Sequence, residues 1–417
     1  MSIRKNVELL APAGGMSQLK AALRFGADAV YLGMPRFGMR AGAKNFSEDE
    51  LALAASLTHK AGKRLYVTLN IYPTEDQLPS LVSAAKSARE IGADAAIVAD
   101  IGAIIEIKNS VPDLEIHIST QANVTNSRAA ALYARLGAKR IVLARELSYD
   151  KIRALRENLA GSVELEAFVH GASCMAYSGR CILSAALRGE YRSANQGACA
   201  QPCRRLYSVL KEKDGAEFDI SEDENGSYLM SANDLCLIGN LPELYNCGID
   251  SFKIEGRMKS EYYTACAVRC YREAMQDYVK NDGSYQGKQE YYRRELEKIS
   301  HRHYDTGFFM KNVPAGGAGA YEQSMEYVGY VEDADYNAAF GASSALVTVK
   351  GKLTLGDRLE AVTPDGVYPF TLSRMRREID GKTIDSCGQN GVRLRLDDIP
   401  ARLSSGDMLR GPNRNHL

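Results

Sequence analysis

The sequence predicts an α/β fold: a (β/α)8 TIM-like barrel with a Cys-rich insertion after strand 7, followed by a small C-terminal all-β, barrel-like module. Three observations carry this. A helical pattern ending in Gly-Ala-Asp or a close variant precedes a short apolar run four times, at Gly26-Ala27-Asp28, Gly92-Ala93-Asp94, Gly137-Ala138-Lys139 and Gly248-Ile249-Asp250. Four more runs of strand character lie among these, so eight strands alternate with helices. No dinucleotide glycine fingerprint follows the first strand, which argues against a doubly wound sheet.

Each element has its own reason. Glycine just past a helix supplies a left-handed cap, and the β-branched run after it reads as a strand buried on both faces. The strands are predicted at 7–13, 29–33, 64–70, 95–100, 114–121, 140–146, 163–171 and 251–257. Ser47 and Glu50 form a capping box before the apolar periodicity of 51–61. Between the seventh and eighth strands lie about 80 residues where a barrel normally spends 25 to 40, and within them 211–227 reads as an exposed hairpin or loop. After a charged helical stretch ending near 300 and the loop HRHYDTGFF, short alternating runs separated by turn residues begin near 325. The boundaries predicted are 1–310 for the barrel, including the insertion 172–235, and 325–417 for the β module.

Composition narrows the class without choosing a function. Lysine and arginine total 52 against 52 aspartates and glutamates, so a nucleic-acid partner would need a local basic face. Arg192 with Arg204 and Arg205, and Arg374 with Arg376 and Arg377, are the candidates. No apolar leader and no run long enough to span a bilayer are visible, which predicts a cytoplasmic protein without a membrane partner. Nine cysteines in such a compartment are not a disulfide framework.

Four of those cysteines sit in the oversized connection: Cys174, Cys181, Cys199 and Cys203, spaced C-x6-C-x17-C-x3-C. Zinc knuckles use tighter pairs, but soft thiolates select zinc or iron–sulfur clusters, and four suffice for either. Buried free thiols are the third reading. Cys236 is a fifth ligand candidate, while Cys266 and Cys270, four apart on one helical face, read as core.

The segment EAFVHGASCMAYSGRCILS at 166–184 resembles the signature of the U32 family, once called collagenase-like peptidases, although Ser173 stands where an aliphatic residue is usual. RSANQGACAQPCR at 192–204, DSFKIEGRMKSEYY at 250–263, HRHYDTGFF and STQANVTN at 119–126 extend the resemblance over the whole chain. It is most similar to the tRNA-hydroxylating branch. What that implies is formation of 5-hydroxyuridine at the wobble position of tRNA, prephenate as hydroxyl source, and a [4Fe-4S] cluster on Cys174, Cys181, Cys199 and Cys203, with zinc as runner-up. The alternatives are hydroxylation of a 23S rRNA cytidine, a peptidase, or a zinc-stapled accessory protein. Neither HExxH nor GxSxG occurs, so a peptidase would need a cysteine nucleophile beside His170.

That chemistry assigns candidate roles. A dicarboxylate calls for arginine or lysine, and Lys253, Glu255 and Arg257 share one face if strand alternation persists through the eighth strand. Glu255, Arg257 and His170 are the catalytic candidates. Asn70, Gln121, Asn123 and Arg145, with Lys253, are substrate-binding candidates at strand ends, amides being suited to the edge of an extruded pyrimidine. Arg204 and Arg205 would take phosphates. His117, between isoleucines in mid-strand, reads as a core histidine.

Overall fold

The computed structural model describes residues 6–40, 42–159, 161–174, 176–204, 222–223, 226–227, 232–311 and 321–414. Two compact units result: Met1–Leu23 with Ala27–Arg293 and His301–Tyr321, and Arg24–Gly26 with Arg294–Ser300 and Glu322–Leu417.

The first unit is a closed parallel barrel of β1 (Glu8–Pro12), β2 (Ala29–Gly33), β3 (Arg64–Leu69), β4 (Ala95–Val98), β5 (Glu115–Ile118), β6 (Ala138–Val142), β7 (Glu164–Ala172) and β8 (Ser251–Ile254). β8 pairs in parallel with both β7 and β1, which closes the cylinder. The recurring glycines Gly26, Gly92, Gly137 and Gly248 all have positive φ, as helix-ending caps require. The aspartates after three of them have a second task. Asp28, Asp94 and Asp250 accept the backbone N–H of Leu9 (2.9 Å), Leu65 (2.7 Å) and Leu165 (2.8 Å), each at the start of a neighbouring strand. The phrase therefore stops a helix and pins the adjacent strand. The Ser47–Glu50 capping box forms as predicted, with both reciprocal bonds at 3.2 Å.

Several strands end earlier than their apolar runs suggest. β5 gives way to a 3-10 turn at Thr120–Ala122, where the Thr120 hydroxyl donates to the Leu143 carbonyl (3.0 Å) instead of continuing the ladder. β8 stops at Ile254, so Glu255, Gly256 and Arg257 leave it toward the mouth. In the insertion, the short strand Asp234–Cys236 adds antiparallel to β7. Glu222–Asp223 pairs with Gly226–Ser227, and the rest of the 211–227 hairpin lies outside the described residues.

The barrel interior is unusually polar at its lower end. Arg140, 3% exposed, donates to Glu8 and to Glu166 (3.2 Å), and Lys253 donates to the other Glu166 oxygen at 2.8 Å. Tyr66 and Ser251 also donate to Glu8, at 2.7 and 2.9 Å. His117 is fully buried against Tyr66, with Glu115 beyond hydrogen-bond reach at 3.7 Å. It is a core ring, and burial lowers its pKa.

The second unit carries a seven-stranded antiparallel sheet, whose long central strands Met325–Asn337 and Ala342–Val349 are flanked by Arg393–Ile399 and Met408–Pro412. One face buries Val331, Val347, Leu359, Leu394, Leu396 and Leu409. Two carboxylates face its basic triplet: Arg376 pairs with Asp397 (2.9 Å), Arg377 with Asp380, and the exposed Arg374 shares Asp397 at 3.8 Å.

Glu166 gives a pH signature. Burial raises its pKa, but Lys253 and Arg140 outweigh burial and leave it below the ordinary carboxylate value. A depressed folded-state pKa means the stabilisation is complete above the unfolded value of about 4.3 and is lost as pH falls through the folded value. Glu166→Gln is expected to cost about 3–5 kcal/mol near neutrality and to flatten the acid limb of stability, measured by urea unfolding between pH 7 and 3.

Candidate functional site

Above that buried network, Tyr31, Arg40, Thr68, Asn70, Gln121, Arg145, Phe168, Lys253, Glu255 and Arg257 line a small hollow of about 40 Å3. Glu255 is its one carboxylate. It accepts from the Tyr31 hydroxyl (3.2 Å) and lies 3.5 Å from Arg40. Burial raises the Glu255 carboxyl, yet Arg40, Arg145, Arg257 and Lys253 together hold it below its ordinary value. Lys253 is already neutralised by Glu166 and lies over the Tyr31 ring at 4.4 Å.

Two guanidinium groups make no direct ion pair among the described residues. Arg257, 3% exposed, donates to Thr68 Oγ1 (2.9 Å) and to Asn45 Oδ1, both neutral, and its Nε has no partner. Burial pulls its pKa down to about 10, which leaves it charged at neutral pH. Arg145 stacks 4.2 Å from the Phe168 centroid, and no carboxylate lies within ion-pair distance of it among the described residues. Burial lowers its pKa as well. Glu255 attracts both across the hollow, but it is one carboxylate shared with Arg40, and the excess of buried positive charge is costly unless an anion arrives to meet it.

The hollow shares Met39, Arg40, Thr120, Gln121 and Arg145 with the wall of a larger cavity of about 630 Å3. Its wall includes Cys174, Cys181, Cys199 and Cys203 together with Arg40, Arg145, Arg180, Arg192 and Arg204. No aspartate or glutamate lines it among the described residues. Burial raises the Cys203 thiol, Arg204 opposes that, and Cys174, Cys199 and Cys181 add to the rise, so the four sulfurs act on one another electrostatically. Among the described residues no three His, Cys, Asp or Glu side chains converge on one point as single-ion ligands do. The four thiols line one cavity without meeting at a point.

The segment bearing these thiols is tied to the barrel at named points. Glu146 accepts from Ser178 N (2.5 Å) and Ser178 Oγ (2.7 Å), and the Asn123 side-chain amide lies 3.1 Å from the same hydroxyl oxygen. Ser178 sits in left-handed backbone, φ 43°. The Ser173 carbonyl, just before Cys174, accepts from Arg204 (2.9 Å) and Arg302 (3.5 Å), and Arg302 is held by Asp234 at 2.6 Å. Gly197 packs so closely on the Gly38 carbonyl that any side chain would collide with it.

The predicted site residues thus fall into three groups. Asn70, Gln121, Arg145, Lys253, Glu255 and Arg257 meet in the hollow, and Arg204 and the four cysteines meet in the cavity. Asn123 lines neither and serves to hold Ser178; Cys236 also lines neither, and Arg205 lies outside the described residues. His170 departs most from expectation. A register shift between Lys253 and Ile254 pairs Lys253 with Phe168 but Ile254 with His170. A one-residue slip sends the side chain to the other face. His170 is therefore packed among Tyr263, Tyr271 and Tyr304, 1% exposed, with neither ring nitrogen bonded. Burial lowers its pKa to about 3. Arg40, Thr68 and Asn45 went unremarked in the sequence; the signal for two of them was the long glycine-bearing loop after β2.

The fold and site together define a barrel protein whose C-terminal mouth combines a soft-ligand thiol set with an anion-attracting floor. The chain belongs to peptidase family U32: that family's model matches residues 14–317, and the model of the U32 C-terminal domain matches 323–410. It is 34% identical over 413 residues to tRNA hydroxylation protein P of Escherichia coli, covering 88% of each chain. An uncharacterized protease of Methanocaldococcus jannaschii is 43% identical over 310 residues, covering 74% of each, and a collagenase of Porphyromonas gingivalis is 33% identical over 392 residues, covering 89% of this chain and 90% of that one. The solved structure of the U32 peptidase Mk0906 aligns with TM-score 0.41 at 18% identity, over 61% of this chain and 94% of that one.

Gly33 shows how tightly the floor is built. A methyl group there would strike the Arg257 guanidinium and come within 2.8 Å of Asn45 Oδ1. Gly33→Ala is expected to cost about 1–3 kcal/mol of folding stability, whereas Gly239→Ala, with open space around it, should stay within about 0.5 kcal/mol; denaturant titration of both compares them.

Proposed function

We propose that this protein is a tRNA-modifying hydroxylase that forms 5-hydroxyuridine at the wobble position, with prephenate as hydroxyl source and a [4Fe-4S] cluster held by Cys174, Cys181, Cys199 and Cys203. The observation that carries this reading is the pair Arg145 and Arg257, neither of them in an ion pair, lining a hollow that shares Arg40, Gln121 and Arg145 with a cavity walled by four thiols. Three arginines, Arg40, Arg145 and Arg257, around the one carboxylate Glu255 leave an excess of two positive charges, which suits a dicarboxylate such as prephenate. The names of relatives in Escherichia coli, Bacillus subtilis and Helicobacter pylori, all called tRNA hydroxylation proteins, point the same way.

A bound cluster would supply redox or Lewis-acid chemistry at the mouth. The protein's own side chains bind and orient. Arg145 and Arg257 would clamp the two carboxylates, and Phe168 fixes the plane of the Arg145 guanidinium from beneath. Glu255, kept ionised by the arginines around it, is the one carboxylate in the hollow placed to take up a proton in passing. Arg180, Arg192 and Arg204 around the thiols suit RNA phosphates.

A peptidase reading, prompted by the relative named collagenase, needs a thiol activated by a histidine. His170 is the histidine adjacent in sequence, and it packs on the far side of β7 with its tyrosines, outside the thiol cavity. That dyad is not assembled.

Protein purified without oxygen should be brown and contain about four irons per chain, and Cys174→Ser or Cys199→Ser should lose them. Colourless protein carrying zinc alone would defeat the cluster assignment. Mass spectrometry of tRNA nucleosides should show 5-hydroxyuridine derivatives depleted in cells lacking this protein. Arg145→Leu is expected to raise the KM for prephenate by roughly 10- to 100-fold, since it removes charge-assisted hydrogen bonds worth about 1.5–3 kcal/mol.

A further inference from the structure

The Gln121 side chain has one face committed and one face free, and the assignment of those faces starts from a backbone group. The Met39 backbone N–H can only donate, and it donates to Asn70 at 3.1 Å, which makes that Asn70 atom the carbonyl Oδ1. Asn70 Nδ2 is then the donor. It gives its hydrogens to Ser119 Oγ and to the Gln121 amide, both at 3.2 Å. The Gln121 atom that accepts is consequently Oε1, and Ser119 Oγ donates to it as well. Amide orientations are often ambiguous, but this one is inherited through three residues from a main-chain N–H.

Nε2 is left over. It has no hydrogen-bond partner among the described residues and is not among the sealed, unpartnered polar atoms, so it keeps access to the cavity that Gln121 lines although the residue is only 7% exposed. The turn carrying it is clamped too: the Gln121 carbonyl accepts from the Tyr72 hydroxyl and from Arg180 Nε (3.2 Å). Gln121 lines both the hollow and the larger cavity, so its amide stands where the two spaces join.

We infer that Gln121 Nε2 selects a pyrimidine carrying a 4-carbonyl over one carrying a 4-amino group. This rests on the hydroxylase reading above. Uracil presents O4, an acceptor, on the ring carbon next to C5, the atom to be modified; cytosine presents an N–H donor at the same place. A fixed donor pairs with the first and opposes the second, and an orphaned buried donor makes the discrimination steep. Asn70 and Ser119 are positioning residues, since without their hold the amide would rotate and accept either base.

The test uses two anticodon stem-loops that differ only in uridine or cytidine at the wobble position, with hydroxylation and binding both measured on the full-length, anaerobically prepared protein. Wild type should favour uridine by about 100-fold in kcat/KM. Gln121→Glu keeps the shape and the Asn70 and Ser119 contacts but turns an acceptor toward the base, so the ratio should collapse toward unity or invert. Asn70→Asp leaves residue 121 unchanged and removes the donor that holds Oε1. The Gln121 amide then turns Nε2 toward the new carboxylate, and the ratio should fall the same way. If Gln121→Glu does not fold, Asn70→Asp decides. Uridine preference unchanged in a variant that still hydroxylates uridine overturns the inference while leaving the hydroxylase reading intact. Wild type that modifies neither base removes that reading and the inference with it.

Discussion

Glu166 is the constraint around which the barrel is organised. Fully buried on β7, it bridges Arg140 of β6 and Lys253 of β8, and Arg140 reaches on to Glu8 of β1. Four consecutive strands across the closing seam thus share one charge network. An aliphatic filling would serve stability as well or better, because buried ion pairs seldom repay their desolvation in full. What the network adds is direction. By neutralising Lys253 from below, Glu166 leaves Arg40, Arg145 and Arg257 around the single carboxylate Glu255, so the floor keeps an excess of positive charge.

The mouth is assembled from segments distant in sequence, and close backbone approach is what lets them meet. Gly33 makes room for the Arg257 guanidinium, and Gly197 lets the thiol-bearing segment lie on the β2 loop. Polar ties do the rest, with Glu146 and Asn123 gripping Ser178, and Asp234 holding Arg302 against the carbonyl that precedes Cys174. Several of the residues that read as active-site groups therefore act through others. Such ties matter because a thiol set or a recognition amide displaced by an ångström loses its partner.

Much was legible from spacing alone. The four helix-ending glycines and the apolar runs after them located half the barrel strands, and the Ser47–Glu50 box located a helix start, because such signals depend on neighbours in sequence. The alternation Lys253, Glu255, Arg257 put three groups on one face although the strand ends at Ile254. His170 escaped because a bulge is set by the partner strand, and nothing in VELEAFVHG announces it. Asn123 looked like a base reader because amides at strand ends look alike until their partners are known. The aspartates of the Gly-Ala-Asp phrase showed where strands begin but not that each pins an amide at the start of the preceding strand.

The sequence by itself determined the barrel, the oversized seventh connection and the presence of four clustered thiols, since periodicity, glycine caps and cysteine spacing are local properties of the chain. Tertiary structure alone decided which charges cancel, which histidine faces away and which end of an amide is left free. Those depend on what lies across the barrel at three or four ångströms, and residues 39, 70, 119 and 121 become one chain of hydrogen bonds only when their strands stand side by side.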